Sequence, residues 1–510
     1  MPRVRVTHHI PFLHIENVSP PDRVSRWLFL RLLGVVYLLA FTSLWPQMLG
    51  LVGSQGILPA SHLLEAAASQ FGAARFWAAP TLCWISSSDA CLRGLCAAGV
   101  IVACGLILDI APAMCLGALW VLYLSMVTIG QDFLGFQWDN LLLEAGWLSI
   151  FFAPLRCRPR WLDDSSPVLV RWLLRWLLFR LMFSSGLVKF LSGDPAWRSL
   201  TALTSHYGTQ PLPTWIGWYA HQMPPNVQRA SCAIMFVIEL VVPWLIFGSM
   251  RCRHVACLVL LMFQGLIAAT GNYGFFNLLT VSLCVVLLDD TVWPARVQEW
   301  VNRRTQSRGS LWRWPWWVFG PVAGIIMVVS GAQMADFLPG RFARPKPLVT
   351  LERLLSPFRS INRYGLFAVM TMERPEILIE GSDDGTFWKA YAFRYKPGEV
   401  TRRPAFVAPH QPRLDWQMWF AALSSYQQQP WFLQFCEQLL RGSPAVLGLL
   451  EENPFPDRPP RYLRAVVYDY RFTDFETRRA SLPVWWHREM KGFYCPLLSL
   501  PDDHHRTHHH

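Results

Sequence analysis

Between Trp27 and Met334 the sequence returns repeatedly to apolar runs long enough to cross a bilayer, and this recurrence constrains the fold more than any motif does. A helix needs about 20 predominantly apolar residues to span the hydrocarbon core, and about nine runs approach that length. They cover 27–51, 92–110, 113–129, 140–155, 169–191, 229–248, 254–271, 275–288 and 316–334. The fourth and eighth are short enough for half-buried or re-entrant segments. Composition agrees: 53% of residues are hydrophobic, 16% are charged, and 26 are tryptophans, whose rings favour the membrane–water interface. The net charge of +12 must therefore be read by location. A basic stripe with interleaved aromatics would point to nucleic acid, and none is present; membrane lipids are the expected surroundings.

Loop charge sets orientation, because cytoplasmic loops collect Lys and Arg. With the N-terminus inside, the inner segments carry Arg3, Arg5, Arg23 and Arg26, then Arg156, Arg158 and Arg160, then Arg251 and Arg253. The last inner loop adds Arg296, Arg303, Arg304, Arg308 and Arg313, whereas the outward loops GQDFLGFQWD and GNYGFFN have no basic residue. The expected organisation is a cytoplasmic segment 1–26, a transmembrane helical domain 27–338, a non-cytosolic β-rich domain 339–502 and a His-rich tail 503–510. The first segment is expected to remain in the protein, since the apolar run starts late and shows no small-residue cleavage site. Asn17-Val18-Ser19 is a formal glycosylation sequon on the wrong side for use.

The twelve cysteines have no CxxC pair or matched histidine spacing, so no metal site is expected. Cys83 with Cys91, and Cys436 with Cys495, lie on the oxidising side, where each pair is either a disulfide or two free thiols.

Charges inside the spans are more informative. An unpaired arginine at the centre of a span costs about 2.5–3.5 kcal/mol on insertion scales, so Arg180 should face the bundle and pair with Glu144 or Glu239. Lys189 lies in the last turn of the fifth span, as an interfacial anchor or a working group. Asp132, Asp139 and Glu144 cluster with Phe133, Phe136 and Trp138 at the outer end of the fourth. Together with Lys189 and residues 206–225 they either line an outward polar cavity or form a charge-paired seam.

Beyond about residue 340 the apolar runs shorten. EILIEGSDDGTFWKAYAFRY (376–395) alternates at period two around Asp383-Asp384-Gly385, which predicts a hairpin. A further strand is predicted over 465–472, and helices over 415–424 and 431–441. Arg413 and Asp415 precede Trp416, Trp419 and Phe420, whose spacing gathers three rings on one helical face, either against the core or as a binding patch. Trp485 and Trp486 recur near the end, interleaved with Arg488 and Lys491. A nucleophile elbow, an HExxH motif, a P-loop and a Rossmann glycine pattern are all absent, so hydrolase and nucleotide chemistry lose support.

The blocks GQDFLGFQWDNLLLEAG, GLVKFLSGDPAWRSLTALTSHYGTQPLPTWIGWYAHQMP, INRYGLFAVMTMERPEILIEG, YKPG, HQPRLDWQMWFAAL, NPFPDRPPRYLRA and WWHREMKGFYCPLLSL resemble, in order, the lipase maturation factor family. The resemblance implies a chaperone-like membrane protein of the endoplasmic reticulum, or of the inner membrane in a bacterial member, that matures exported lipases without a cofactor. Its client would meet the non-cytosolic domain, through Arg413, Asp415, Trp416, Trp419, Phe420, Trp485, Trp486 and Arg488. GLVKFLSGDPAW is also similar, over a shorter stretch, to the membrane module of vitamin K-dependent gamma-glutamyl carboxylase. That similarity implies an alternative, a membrane enzyme with Lys189 as base beside Asp139 or Glu144. A lipid-binding or scaffolding protein is the third reading.

Overall fold

A computed structural model describes residues 22–157, 166–305, 314–337, 344–480 and 484–501. The sequon at Asn17, most of the N-terminal segment, Arg158, Arg160, Arg308, Arg313 and the His-rich tail lie outside the described residues.

The expected spans are helical. They are α1 (Arg23–Leu44), α2 (Asp89–Ile107), α3 (Pro112–Ile129), α4 (Gln137–Phe152) and α5 (Val168–Leu191). Two short helices, α6 (Ala202–Thr209) and α7 (Trp215–His221), precede α8 (Pro225–Leu240), α9 (Met250–Thr270), α10 (Phe276–Val285) and α11 (Trp316–Ala335). Among the described residues six helices are long and apolar enough to cross a membrane. Of the other three expected spans, α4 has 16 residues, α10 has 10, and α5 has 24 but carries Arg171, Arg175, Arg180 and Lys189. The chain is a polytopic helical bundle.

Prolines set several boundaries. The first apolar run breaks at the Trp45-Pro46 turn and resumes as a short helix, Met48–Val52, because a proline ring removes an amide and crowds the preceding turn. Pro243 likewise ends α8 in a 3₁₀ segment, Val242–Phe247. Gly186 on α5 lets α8 approach closely: a Cβ there would lie 2.8 Å from the Glu239 Cβ.

Contacts at its two ends fix the alternation of the bundle. At one end the start of α1 meets the end of α4, where Arg26 donates to the Phe152 carbonyl at 2.9 Å, and Asp22 receives Arg171 at 3.1 Å. Arg156 pairs with Asp109 at 2.6 Å there, and His254 Nε2 lies 3.2 Å from Asp289. This end therefore carries the loop arginines. The opposite end carries the C-terminal domain.

That domain is a four-stranded antiparallel sheet in the order β2-β1-β3-β4, with β1 (Pro375–Ser382), β2 (Lys389–Ala390), β3 (Tyr462–Phe472) and β4 (Trp486–Phe493). The predicted hairpin is β1–β2, in register Glu380↔Ala390. Its turn closes where the Asp384 carboxylate accepts the amides of Thr386 and Phe387, and Gly385 takes a φ of +76° that favours glycine. Helices α12 (Arg413–Ala422) and α13 (Pro430–Leu440) match the other two expectations, and α12 packs on β1.

Candidate functional site

The sheet domain is fastened to the bundle by buried charged groups. Arg413 at the start of α12 projects into the bundle and forks onto Asp139 at 2.6 and 2.8 Å; the two side chains are 1% and 0% exposed. Tyr123 of α3 donates its hydroxyl to the same carboxylate. The backbone beside Arg413 is held as well. Gln47 accepts the Arg413 amide at 2.8 Å, and Ser43 Oγ accepts that of Gln411 at 2.8 Å. His410 Nδ1 lies 2.9 Å from the same Ser43 oxygen, and burial, with Arg413 and Arg394 nearby, pushes its imidazole pKa down.

A second junction forms around Glu144. Arg180 pairs with one of its oxygens, and the other accepts the Asn362 amide at 2.9 Å and the Tyr364 hydroxyl at 2.7 Å. Arg180 also donates to the Asn362 carbonyl at 3.1 Å. The central arginine thus found the acid anticipated for it, and the segment leading into the sheet domain supplies the remaining partners.

The third junction is Arg374. Paired with Glu376 at 2.7 Å, it donates to the carbonyls of Gly208 at 2.9 Å, Gln210, and Pro211 at 2.8 Å. Lys396 reaches the other Glu376 oxygen at 2.9 Å. Asn272, between α9 and α10, completes the seam by accepting the Val407 amide at 2.7 Å and donating to the Ala405 carbonyl at 2.8 Å.

Beside these junctions lies a cavity of about 500 Å³ bounded by α5, α6, α8, α9 and α10. Lys189 and Glu239 share its wall, the ammonium 2.6 Å from each carboxylate oxygen and 5.6 Å from the centre of the Trp197 ring. His206, on the short helix outside the spans, lies 3.4 Å from the Tyr273 hydroxyl, which donates to Gln210 at 2.9 Å. Burial and the nearby Lys189 push the His206 imidazole down to about 4. Asn277 donates to Gln264 at 2.9 Å, but its own carbonyl oxygen is buried without a partner.

The sequence-derived residues are thus divided. Asp139 and Glu144 line neither the cavity nor a site shared with Lys189; each is held by an arginine at a separate junction. Lys189 is only 6% exposed and pairs with Glu239, so it is not an interfacial anchor. Asp132 is exposed on the turn before α4. Of the α12 face, Trp416 and Trp419 are buried, with the Trp419 indole donating to Thr209 O at 2.9 Å, and Phe420 alone is exposed, stacked on Phe136. Asp415 is buried and accepts the amides of Tyr395 and Lys396 at 2.9 Å. Trp485 and Trp486 are buried, and Arg488 lies over Tyr468. The core-packing alternative is therefore the arrangement found for Trp416 and Trp419, and Trp485 and Trp486 are buried likewise. Cys83, Cys91, Cys436 and Cys495 are free thiols.

Sequence reasoning missed Tyr123, Tyr364, Arg374 and Asn277, whereas His206 opens the 206–225 stretch expected beside Lys189 and does share its cavity. Tyr364 sits in the quoted INRYG block, and the 208–211 carbonyls in the quoted HYGTQP segment, but neither carries a local sign of what it binds.

A family model described as lipase maturation factor transmembrane domain matches residues 24–295, and one described as lipase maturation factor C-terminal domain matches 360–496. The chain is 36% identical to lipase maturation factor 2 of Rattus norvegicus, over 94% of this chain and 84% of that protein. It is 35% identical to lipase maturation factor 2 of Homo sapiens, over 94% and 83%. To lipase maturation factor 1 of Bos taurus it is 34% identical, over 94% and 90%. No solved structure matches the chain. The three junctions join residues of the first matched region to residues of the second.

Proposed function

The chain belongs to the lipase maturation factor family, and from that premise we propose that it brings exported lipases to their folded, active form, presenting the sheet domain to them on the non-cytosolic face. The observation that carries this reading is the set of buried junctions. Arg413–Asp139, Glu144–Tyr364 and the Arg374 carbonyl clamp hold the domain rigidly on one end of the bundle. A client emerging from translocation meets a fixed platform at the membrane rather than a tethered module.

Orientation rests on charge. The end opposite the sheet domain gathers Arg23, Arg26, Arg156, Arg171 and Arg253, which supports placing it in the cytoplasm, of a bacterium or of a eukaryotic cell whose membrane is the endoplasmic reticulum. The residues that meet the client are then the exposed apolar ones of the sheet domain. Phe387 on the hairpin turn is 81% exposed and Phe493 on the edge strand 63%. Lys189 is taken up by Glu239, while Asp139 and Glu144 are held by Arg413 and Arg180, so the lysine–carboxylate grouping that the enzyme alternative needs is not assembled.

A photoreactive amino acid at Phe387 or Phe493, in membranes of cells exporting a lipase, tests this. Cross-links to partly folded lipase, lost once the lipase is mature, are expected. Cross-links only to cytosolic proteins would overturn the reading.

A further inference from the structure

The cavity beside Lys189 is open on the side of the bundle. Ile234 of α8 and Leu266 of α9 both line it, and they are 58% and 66% exposed. They belong to faces that are apolar and exposed along their length, with Val237 on α8, Val241 directly after it, and Leu258 and Met262 on α9. In a polytopic bundle such faces meet hydrocarbon, so the mouth opens to acyl chains rather than to water. Inside, Leu181, Met182, Met235, Phe263 and Phe276 supply an apolar stretch of wall, beside the polar group of Lys189, Glu239, His206 and Asn277. The volume lies within the range of pockets that enclose small ligands.

The polar groups narrow the head group. Lys189 is neutralised by Glu239 at contact distance, and His206 is held uncharged, so the cavity presents no net charge among its described residues. A carboxylate head would face Glu239, and an ammonium head would face Lys189. An uncharged group capable of donating a hydrogen bond meets neither obstacle. The Asn277 side-chain oxygen asks for such a donor: it borders the cavity, its residue is 7% exposed, and it has no partner. Leaving a buried acceptor unsatisfied is costly, and a ligand hydroxyl removes that cost.

We propose that this cavity is a binding site for an uncharged, hydroxyl-bearing membrane lipid such as a monoacylglycerol, which slides in sideways between α8 and α9 and donates its hydroxyl to Asn277. The site is distinct from the client surface and does not rest on the lipase reading.

The test uses the full chain in phosphatidylcholine nanodiscs with a photoreactive monoacylglycerol, its diazirine at the end of the acyl chain. Labelled peptides should map to the interior positions Met182 and Phe263. Ile234→Trp, or Leu266→Trp on the other lip, should lower interior labelling about tenfold while labelling of the outward residues Val237 and Leu258 persists. Asn277→Leu should abolish the preference for the hydroxyl probe over the same chain ending in a methyl ester. Interior labelling that both lip variants leave unchanged would overturn the lateral entrance. Equal labelling by a carboxylate-headed probe of the same chain would overturn the head-group assignment.

Discussion

Arg413 and Asp139 stand 274 residues apart in sequence and form a two-pronged ion pair, at 2.6 and 2.8 Å, sealed between the sheet domain and the bundle. Removing one partner leaves a buried charge uncompensated, whereas replacing both with apolar side chains does not. Arg413→Met should therefore lower stability by about 3–5 kcal/mol, and Asp139→Leu combined with it should recover most of that loss. Thermal unfolding of the full chain in detergent, arranged as a double-mutant cycle, reads both effects.

Tyr364→Phe tests the second junction. The hydroxyl donates to Glu144 at 2.7 Å, and its removal should cost about 1–3 kcal/mol, because the carboxylate oxygen loses a donor it cannot replace from water. Since Arg180 and Asn362 remain, the loss should be smaller than that of Arg413→Met, measured by the same unfolding experiment.

Arg374→Lys tests the third. A guanidinium can serve three carbonyls and Glu376 at once, whereas an ammonium on a flexible stem cannot keep that planar fork. Each charged hydrogen bond forfeited should cost about 1.5–3 kcal/mol. Limited proteolysis should then find new cleavage in the 208–214 segment, which the wild-type chain protects.

These junctions also mark where sequence reasoning stopped. The bundle was legible because a bilayer demands long apolar runs, and the hairpin because alternation around Asp383-Asp384-Gly385 has few other outcomes. The demand that Arg180 find an acid was legible too, since the cost of a lone charge forces it. The other pairings were not, because they join distant segments and leave no periodicity. Lys189 and Glu239 offered one weak sign: opposite charges on neighbouring antiparallel spans. The Trp416–Trp419–Phe420 face shows why such stripes mislead. Helical spacing gathers rings on one side whether that side meets the core or a partner, and here only Phe420 reaches the surface.

Acid should loosen the seam between domain and bundle. Burial depresses the imidazole pKa of both His206 and His410, His206 to about 4, against an unfolded value of about 6.5. The folded state thus prefers both rings neutral, so their contribution is fully present above about pH 6.5 and is lost as pH falls toward 4. His206→Phe should shift the acid midpoint of unfolding to lower pH, and His410→Asn should do the same. Unfolding against pH, followed by tryptophan fluorescence, measures the shift.

The most direct test is the specific activity of an exported lipase in cells that contain this chain, lack it, or carry Arg413→Met. If the protein matures lipases from a platform locked to its bundle, activity per mass of exported lipase rises with the wild-type chain. It should fall back with the unlocked variant even where that variant accumulates in the membrane. Equal activity in all three would contradict the account.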